Sequence, residues 1–152
     1  MIPGLRLIAF FAVCATFSGC ALFSGEPPLV PIAQAPRLPG AYARSTIYGG
    51  MLFAAGVFPS DRATGTVLHG DITAQTNRVF DNLEAILAGA GCNMKDLVKV
   101  DIRVTEFADL ARMDAVVAAR LRDSRPVRTT LPGARLEGFA LLEVDFVARL
   151  PQ

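Results

Sequence analysis

The 152-residue sequence is poor in the side chains that metal sites and nucleophilic centres draw on, with one histidine and three cysteines. His69 falls in a loop just before Asp71, with no second His or Cys near it to share a metal. It reads as a polar turn residue, and no metal site is expected. Cys14 and Cys20 belong to the first twenty residues, which leaves Cys92 as the only thiol of the folded part and excludes a disulfide within it. Its setting, "GAGCNM" after a helical stretch, suits a small buried packing residue and not a nucleophile, so a catalytic Cys–His pair is not expected. The fifteen Lys and Arg are scattered and the formal net charge is +1. A basic stripe of the kind that nucleic acid requires is missing. Acidic tails, low-complexity tracts and internal repeats are missing too. The "GAG" segment is a helix stop and not a phosphate loop, since no strand, Gly-rich turn and helix follow in that order.

No apolar run reaches the about 20 residues that a comfortable transmembrane helix needs. What stands at the N-terminus is shorter: "MIPGLRLIAFFAVCATFSGC", with one cation, Arg6, an apolar run from Leu7 to about Thr16, and small residues before Cys20. This is the layout of a secretory signal over residues 1–19. Phe17-Ser18-Gly19-Cys20 resembles the bacterial lipobox, in which the Cys thiol is lipidated and becomes the mature N-terminus. Phe17 departs from the usual Leu; Ser18 and Gly19 fit. An ordinary cleaved signal or a buried N-terminal helix is the alternative. Ala21, standing where Asp would favour the inner membrane, points to a periplasmic lipoprotein anchored in the outer membrane. Residues 20–39 include five prolines, and because proline fixes its own φ and restricts its predecessor, an extended tether is expected. The folded domain is expected over residues 40–152.

Within it, Thr46–Tyr48 and Met51–Phe58 flank "GG" as a hairpin, and Thr66–His69 reads as a further short strand. Asp71 is placed to cap a helix whose apolar positions, Ile72, Val79, Phe80, Leu83, Ile86 and Leu87, follow 3.6-residue spacing until Gly89 and Gly91. Leu97–Val104 alternates like a half-buried strand. Thr105 is the expected cap of a second helix running to about Arg122, with Phe107, Leu110, Met113, Val117 and Leu121 on its inner side. Two strands close the chain. The pattern β-β-(β)-α-β-α-β-β predicts a two-layer α+β domain, with two helices covering one face of a mixed sheet.

The closing strands, "RPVRTTLPGARLEGFALLEVDFVARL", raise the functional question. In the last, Leu142, Val144, Phe146 and Ala148 alternate with Glu143, Asp145, Val147 and Arg149. In the one before, Val127, Thr129 and Leu131 alternate with Arg128 and Thr130. Period two places the apolar sets under the helices and puts Arg128 and Glu143 together on the uncovered face. Such a face meets water or another subunit. Asp145, beside Glu143, is expected to meet an arginine across a subunit interface.

From about Pro39 to Leu150 the chain resembles the RidA/YjgF family of reactive-intermediate (enamine/imine) deaminases. "PGAYARS", "LFAAGVFPSDRATGTVLHGDITAQTNRVFDNLEAILAGAG", "DLVKVDIRVTEFADLARMDAVV" and "RPVRTTLPGARL…LLEVDFVA" match its motifs in order. The resemblance implies a chorismate-mutase-like fold forming a homotrimer, with active sites in the clefts between subunits and no cofactor. It also implies roles. Arg128 would hold a substrate carboxylate and Glu143 would activate water. Backbone groups of Gly56 and Thr130 would cradle the ligand, and Tyr42 would line the pocket. The reaction implied is hydrolysis of small 2-imino acids to 2-keto acids and ammonia; a trimeric, non-catalytic carboxylate-binding or interaction lipoprotein is the alternative. Ala55 and Val57 stand where the family has Ser and Gln, and Thr130 stands for a common Cys. The first two changes remove a pocket hydroxyl and an amide, which predicts weaker activity or a more apolar substrate.

Overall fold

The structure, a computed structural model, describes residues 43–151. The signal segment, Cys20, the proline-rich tether and Tyr42 lie outside the described residues. Five strands form one sheet: β1 (Ser45–Tyr48), β2 (Met51–Val57), β3 (Leu97–Val104), β4 (Val127–Pro132) and β5 (Leu142–Arg149), in the spatial order β1-β2-β5-β3-β4. Two α-helices join them, α1 (Ile72–Gly89) between β2 and β3, and α2 (Leu110–Arg120) between β3 and β4. β1 and β2 form the expected hairpin, with Gly49 and Gly50 at φ +57° and +75°. Positive φ at both central positions matches the right-handed strand twist and suits glycine.

Topology explains why both helices share one face. β2 and β3 each run antiparallel to β5, hence parallel to one another, and β3 runs parallel to β4. Both helical crossovers therefore link parallel strands and move the same way across the sheet. Right-handed crossovers in one direction must lie on one side. That side carries the core: Leu52, Val100, Ile102, Val104, Leu142, Val144 and Phe146 of the sheet meet Ile72, Val79, Phe80, Leu83, Leu87, Met113 and Val117 of the helices.

Asp71 caps α1 as expected, its carboxylate accepting from the Ala74 N–H at 2.9 Å. Cys92 is buried just past the helix end, and its N–H closes the last turn onto the Leu87 carbonyl at 2.8 Å. Burial pushes its thiol up, with Asp96 adding to the effect, which suits an inert packing residue.

Several expectations need correction. Thr66–His69 is not a strand; the segment makes only the isolated bridge Ser60–Val67. Thr105 does not cap α2. A short 3-10 turn, Phe107–Asp109, intervenes, α2 starts at Leu110 and ends at Arg120, and Phe107 lies 75% exposed. The largest correction concerns β4. Arg128 registers with Val100 and Thr130 with Ile102, both buried under the helices. Paired residues of adjacent strands point to the same side, so Arg128 and Thr130 project on the helix side of this edge strand. Val127, Thr129 and Leu131 take the bare face, where Val127 is 68% and Leu131 56% exposed.

Candidate active site

Glu143 sits on the bare face of β5, opposite Arg103 of β3. The strand's alternate residues, from Leu142 to Ala148, are fixed in the core, so its charged positions have no freedom to turn inward. Glu143 borders a cleft of about 470 Å³ lined also by Arg44, Ala55, Gly56, Phe58 and Arg135. Removal from water pushes the Glu143 carboxyl above its ordinary value of 4.5; the Arg103 guanidinium pulls it down, while Asp145 and Glu137 push it up. A carboxyl raised this way is better able to carry a proton in and out of a reaction near neutrality.

Gly56 lies in a bulge of β2, where the register with β5 shifts between Ala54 and Val57. Its φ is +66°, and a Cβ there would stand 3.5 Å from Glu143 Oε1. The Gly56 N–H donates to Asp145 Oδ1 at 2.8 Å, so this donor is already used within the subunit. Asp145 Oδ2 accepts from Arg103 Nη1 at 2.7 Å, and the same nitrogen stands 3.7 Å from Glu143 Oε2. Asp145 thus finds its arginine on the neighbouring strand of its own chain, which corrects the expectation of a partner across an interface. Ala55 lines the cleft without a hydroxyl, whereas Val57 is buried in the core. The apolar residue at 57 is therefore a packing residue. Nε of Arg44 is shielded from water without a hydrogen-bond acceptor.

Arg128 is elsewhere. Its Nε donates to Thr130 Oγ1 at 3.0 Å, and its Nη2 pairs with Asp114 of α2. Thr130 therefore uses its side chain to aim the guanidinium. Within one chain Arg128 and Glu143 lie on opposite sides of the sheet with β3 between them. The expectation that the two share one face of the sheet is corrected by this register. Sequence reading also passed over Arg103 and Asp114. Arg103 carried a faint signal, since Lys99, Asp101 and Arg103 alternate on the polar face of β3; Asp114 carried none. His69 packs against Phe139, ring centroids 4.3 Å apart and planes tilted by 41°, and does not line the Glu143 cleft.

The family model described as endoribonuclease L-PSP matches residues 32–150. A RutC family protein of Pyrococcus abyssi is 36% identical over 115 residues, covering 76% of this chain and 91% of that protein. The chain belongs to the RidA/YjgF family. The crystal structure of the yjgF gene product of E. coli superposes with a TM-score of 0.72 at 28% identity, covering 80% of this chain and 98% of that one. Its likeness establishes the chorismate-mutase-like α+β fold. The chloroplastic Reactive Intermediate Deaminase A of Arabidopsis thaliana is 27% identical over 161 residues, covering 95% of this chain and 86% of the plant protein. This RidA-family member thus shares its whole folded part with relatives that include a named deaminase.

Proposed function

We propose that the chain is a cofactor-free deaminase that hydrolyses small 2-imino acids, with each active site built from two subunits of a homotrimer. The observation that carries the reading is Glu143, partly withdrawn from water beside an open cleft and pushed toward the protonated form. The family fold is typically a homotrimer, and the bare sheet face exposes Val127, Leu131 and Phe53 as apolar surface for packing. Because Arg128 and Glu143 of one chain face opposite sides, a site that uses both takes Arg128 from one subunit and Glu143 from the next.

The chemistry follows from these two groups. The planar guanidinium of Arg128, steadied by Thr130 and Asp114, grips the substrate carboxylate through paired hydrogen bonds and fixes the adjacent C=N carbon. Glu143 takes a proton from water as the oxygen attacks that carbon, then delivers it to nitrogen. Glu143 then takes the hydroxyl proton of the resulting carbinolamine and passes it to nitrogen as the C=O bond forms and the C–N bond breaks, so that one imine and one water give one 2-keto acid and one ammonia. An imine is already electrophilic, so this scheme calls for no organic cofactor or metal. Arg128→Ala should lower kcat/KM for 2-iminopropionate, generated with an amino-acid oxidase, by about ten- to 150-fold, the equivalent of about 1.5–3 kcal/mol of charged hydrogen bonding. Wild-type protein that does not accelerate hydrolysis would overturn the reading.

One observation favours a second reading, a trimer that binds small carboxylates without chemistry: Ala55 brings no hydroxyl to the cleft and the Gly56 N–H is taken by Asp145. Calorimetric binding of 2-oxobutanoate together with no hydrolysis would favour it. The N-terminal layout supports a further part of the proposal, that Cys20 carries lipid and tethers the domain in the cell envelope. Cys20→Ser should then abolish labelling by a fatty-acid analogue and release the protein from the membrane fraction.

A further inference from the structure

Arg103 occupies a junction that the deaminase scheme leaves unused. Its Nη1 donates to Asp145 Oδ2 at 2.7 Å and stands 3.7 Å from Glu143 Oε2, so one nitrogen bridges two carboxylates two residues apart on β5. The other oxygen of Asp145 accepts the Gly56 N–H at 2.8 Å. A continuous path therefore runs from Arg103 through Asp145 to the bulge of β2. The bulge in turn borders Glu143, because a Cβ on Gly56 would sit 3.5 Å from Oε1. Among the described residues Arg103 is the cation within ion-pair distance of Glu143. Asp145 on its own strand and Glu137 from the loop before β5 are acidic, the bulge of β2 brings no charge, and Arg44 and Arg135 line the cleft without an ion pair to Glu143 among the described residues.

We propose that Arg103 is the positioning residue of this site: it clamps Glu143 and Asp145 side by side, locks the Gly56 bulge through Asp145, and sets the pH above which Glu143 acts as a base. The inference rests on the deaminase reading and names the residue that tunes its base. With the guanidinium gone, two carboxylates share one face with no cation between them, and each raises the other's proton affinity. A base must be ionised to take a proton from water, so the acid limb of the pH–rate profile moves to higher pH. A residue that served folding alone would change stability and leave that limb where it was.

The test uses the full chain, with pH profiles of 2-iminopropionate hydrolysis for wild type, Arg103→Leu and Arg103→Lys. Alongside, the Glu143 carboxyl is titrated by carbon-13 NMR, its signal assigned by its loss in Glu143→Gln. Arg103→Leu should move both the acid limb and the NMR midpoint upward by about one pH unit or more, with kcat/KM on the acid side falling about tenfold for each pH unit that the limb moves. Arg103→Lys should bring both most of the way back to the wild-type position, because the charge is kept and only the fork is lost. Should Arg103→Leu fail to fold, Arg103→Gln makes the same comparison. An unmoved Glu143 midpoint on loss of the cation overturns the inference, whatever the kinetics. A wild type that is inactive at every pH overturns the deaminase reading, while the NMR titration still decides whether Arg103 governs Glu143.

Discussion

Gly56 combines a backbone requirement with a place in the site. At φ +66° an L side chain is strained, by about 1–2 kcal/mol. Gly56→Ala should therefore lower the thermal midpoint by several degrees through backbone strain, since the added methyl would meet Glu143 Oε1 only at ordinary contact distance; an unchanged midpoint would contradict the strained-bulge account. Glu143 itself makes a pH-dependent prediction. Its folded-state proton affinity is raised, chiefly by loss of water. The stabilisation it contributes is then full below the unfolded carboxyl value of 4.5 and is lost as pH rises through the higher folded value. Glu143→Gln, which cannot ionise, should melt above wild type at pH 7, and the gain should vanish below about pH 4.5. A gain that persists at low pH would contradict the desolvation account. The residue types of this site were legible in the sequence, because an Arg and a Glu each stood on the polar side of an alternating strand. Their partners were not: Asp145–Arg103 and Arg128–Asp114 join side chains 42 and 14 positions apart, and alternation carries no information on which strand lies alongside.

At the scale of the elements, α1 was the most readable, since a capping Asp, a 3.6-residue apolar stripe and a glycine stop agreed with one another. Asp71→Ala removes the acceptor that satisfies the Ala74 N–H and should destabilise by about 0.5–2 kcal/mol, measurable by urea unfolding; a midpoint within error of wild type would show that the first turn is held by packing instead. β4 was misread for a definite reason. Period two tells which residues share a face but not which face is covered. The usual inference, apolar side inward, fails on an edge strand beyond the helices. There Val127 and Leu131 remain on the open face, while Arg128 reaches round to Asp114 of α2. α2 is amphipathic only over its middle, with Met113 and Val117 buried. Its start was misplaced because a 3-10 turn keeps the same residue types without capping through Thr105.

For the whole molecule, the fold class followed from the alternation of strand and helix patterns, and the single covered face follows from two same-handed crossovers between parallel strands. The bare face is where the functional account is decided, since one chain cannot bring its own Arg128 to its own Glu143. The most direct measurement is subunit complementation. Arg128→Ala and Glu143→Gln chains, each impaired alone, are unfolded together in equal amounts, refolded as mixed trimers and assayed with 2-iminopropionate. If each site takes Arg128 from one subunit and Glu143 from its neighbour, about one site in four combines two intact residues, and about a quarter of wild-type activity should return. If both groups act within one subunit, no mixture contains an intact site, and activity that stays at the level of the separate variants would contradict the account.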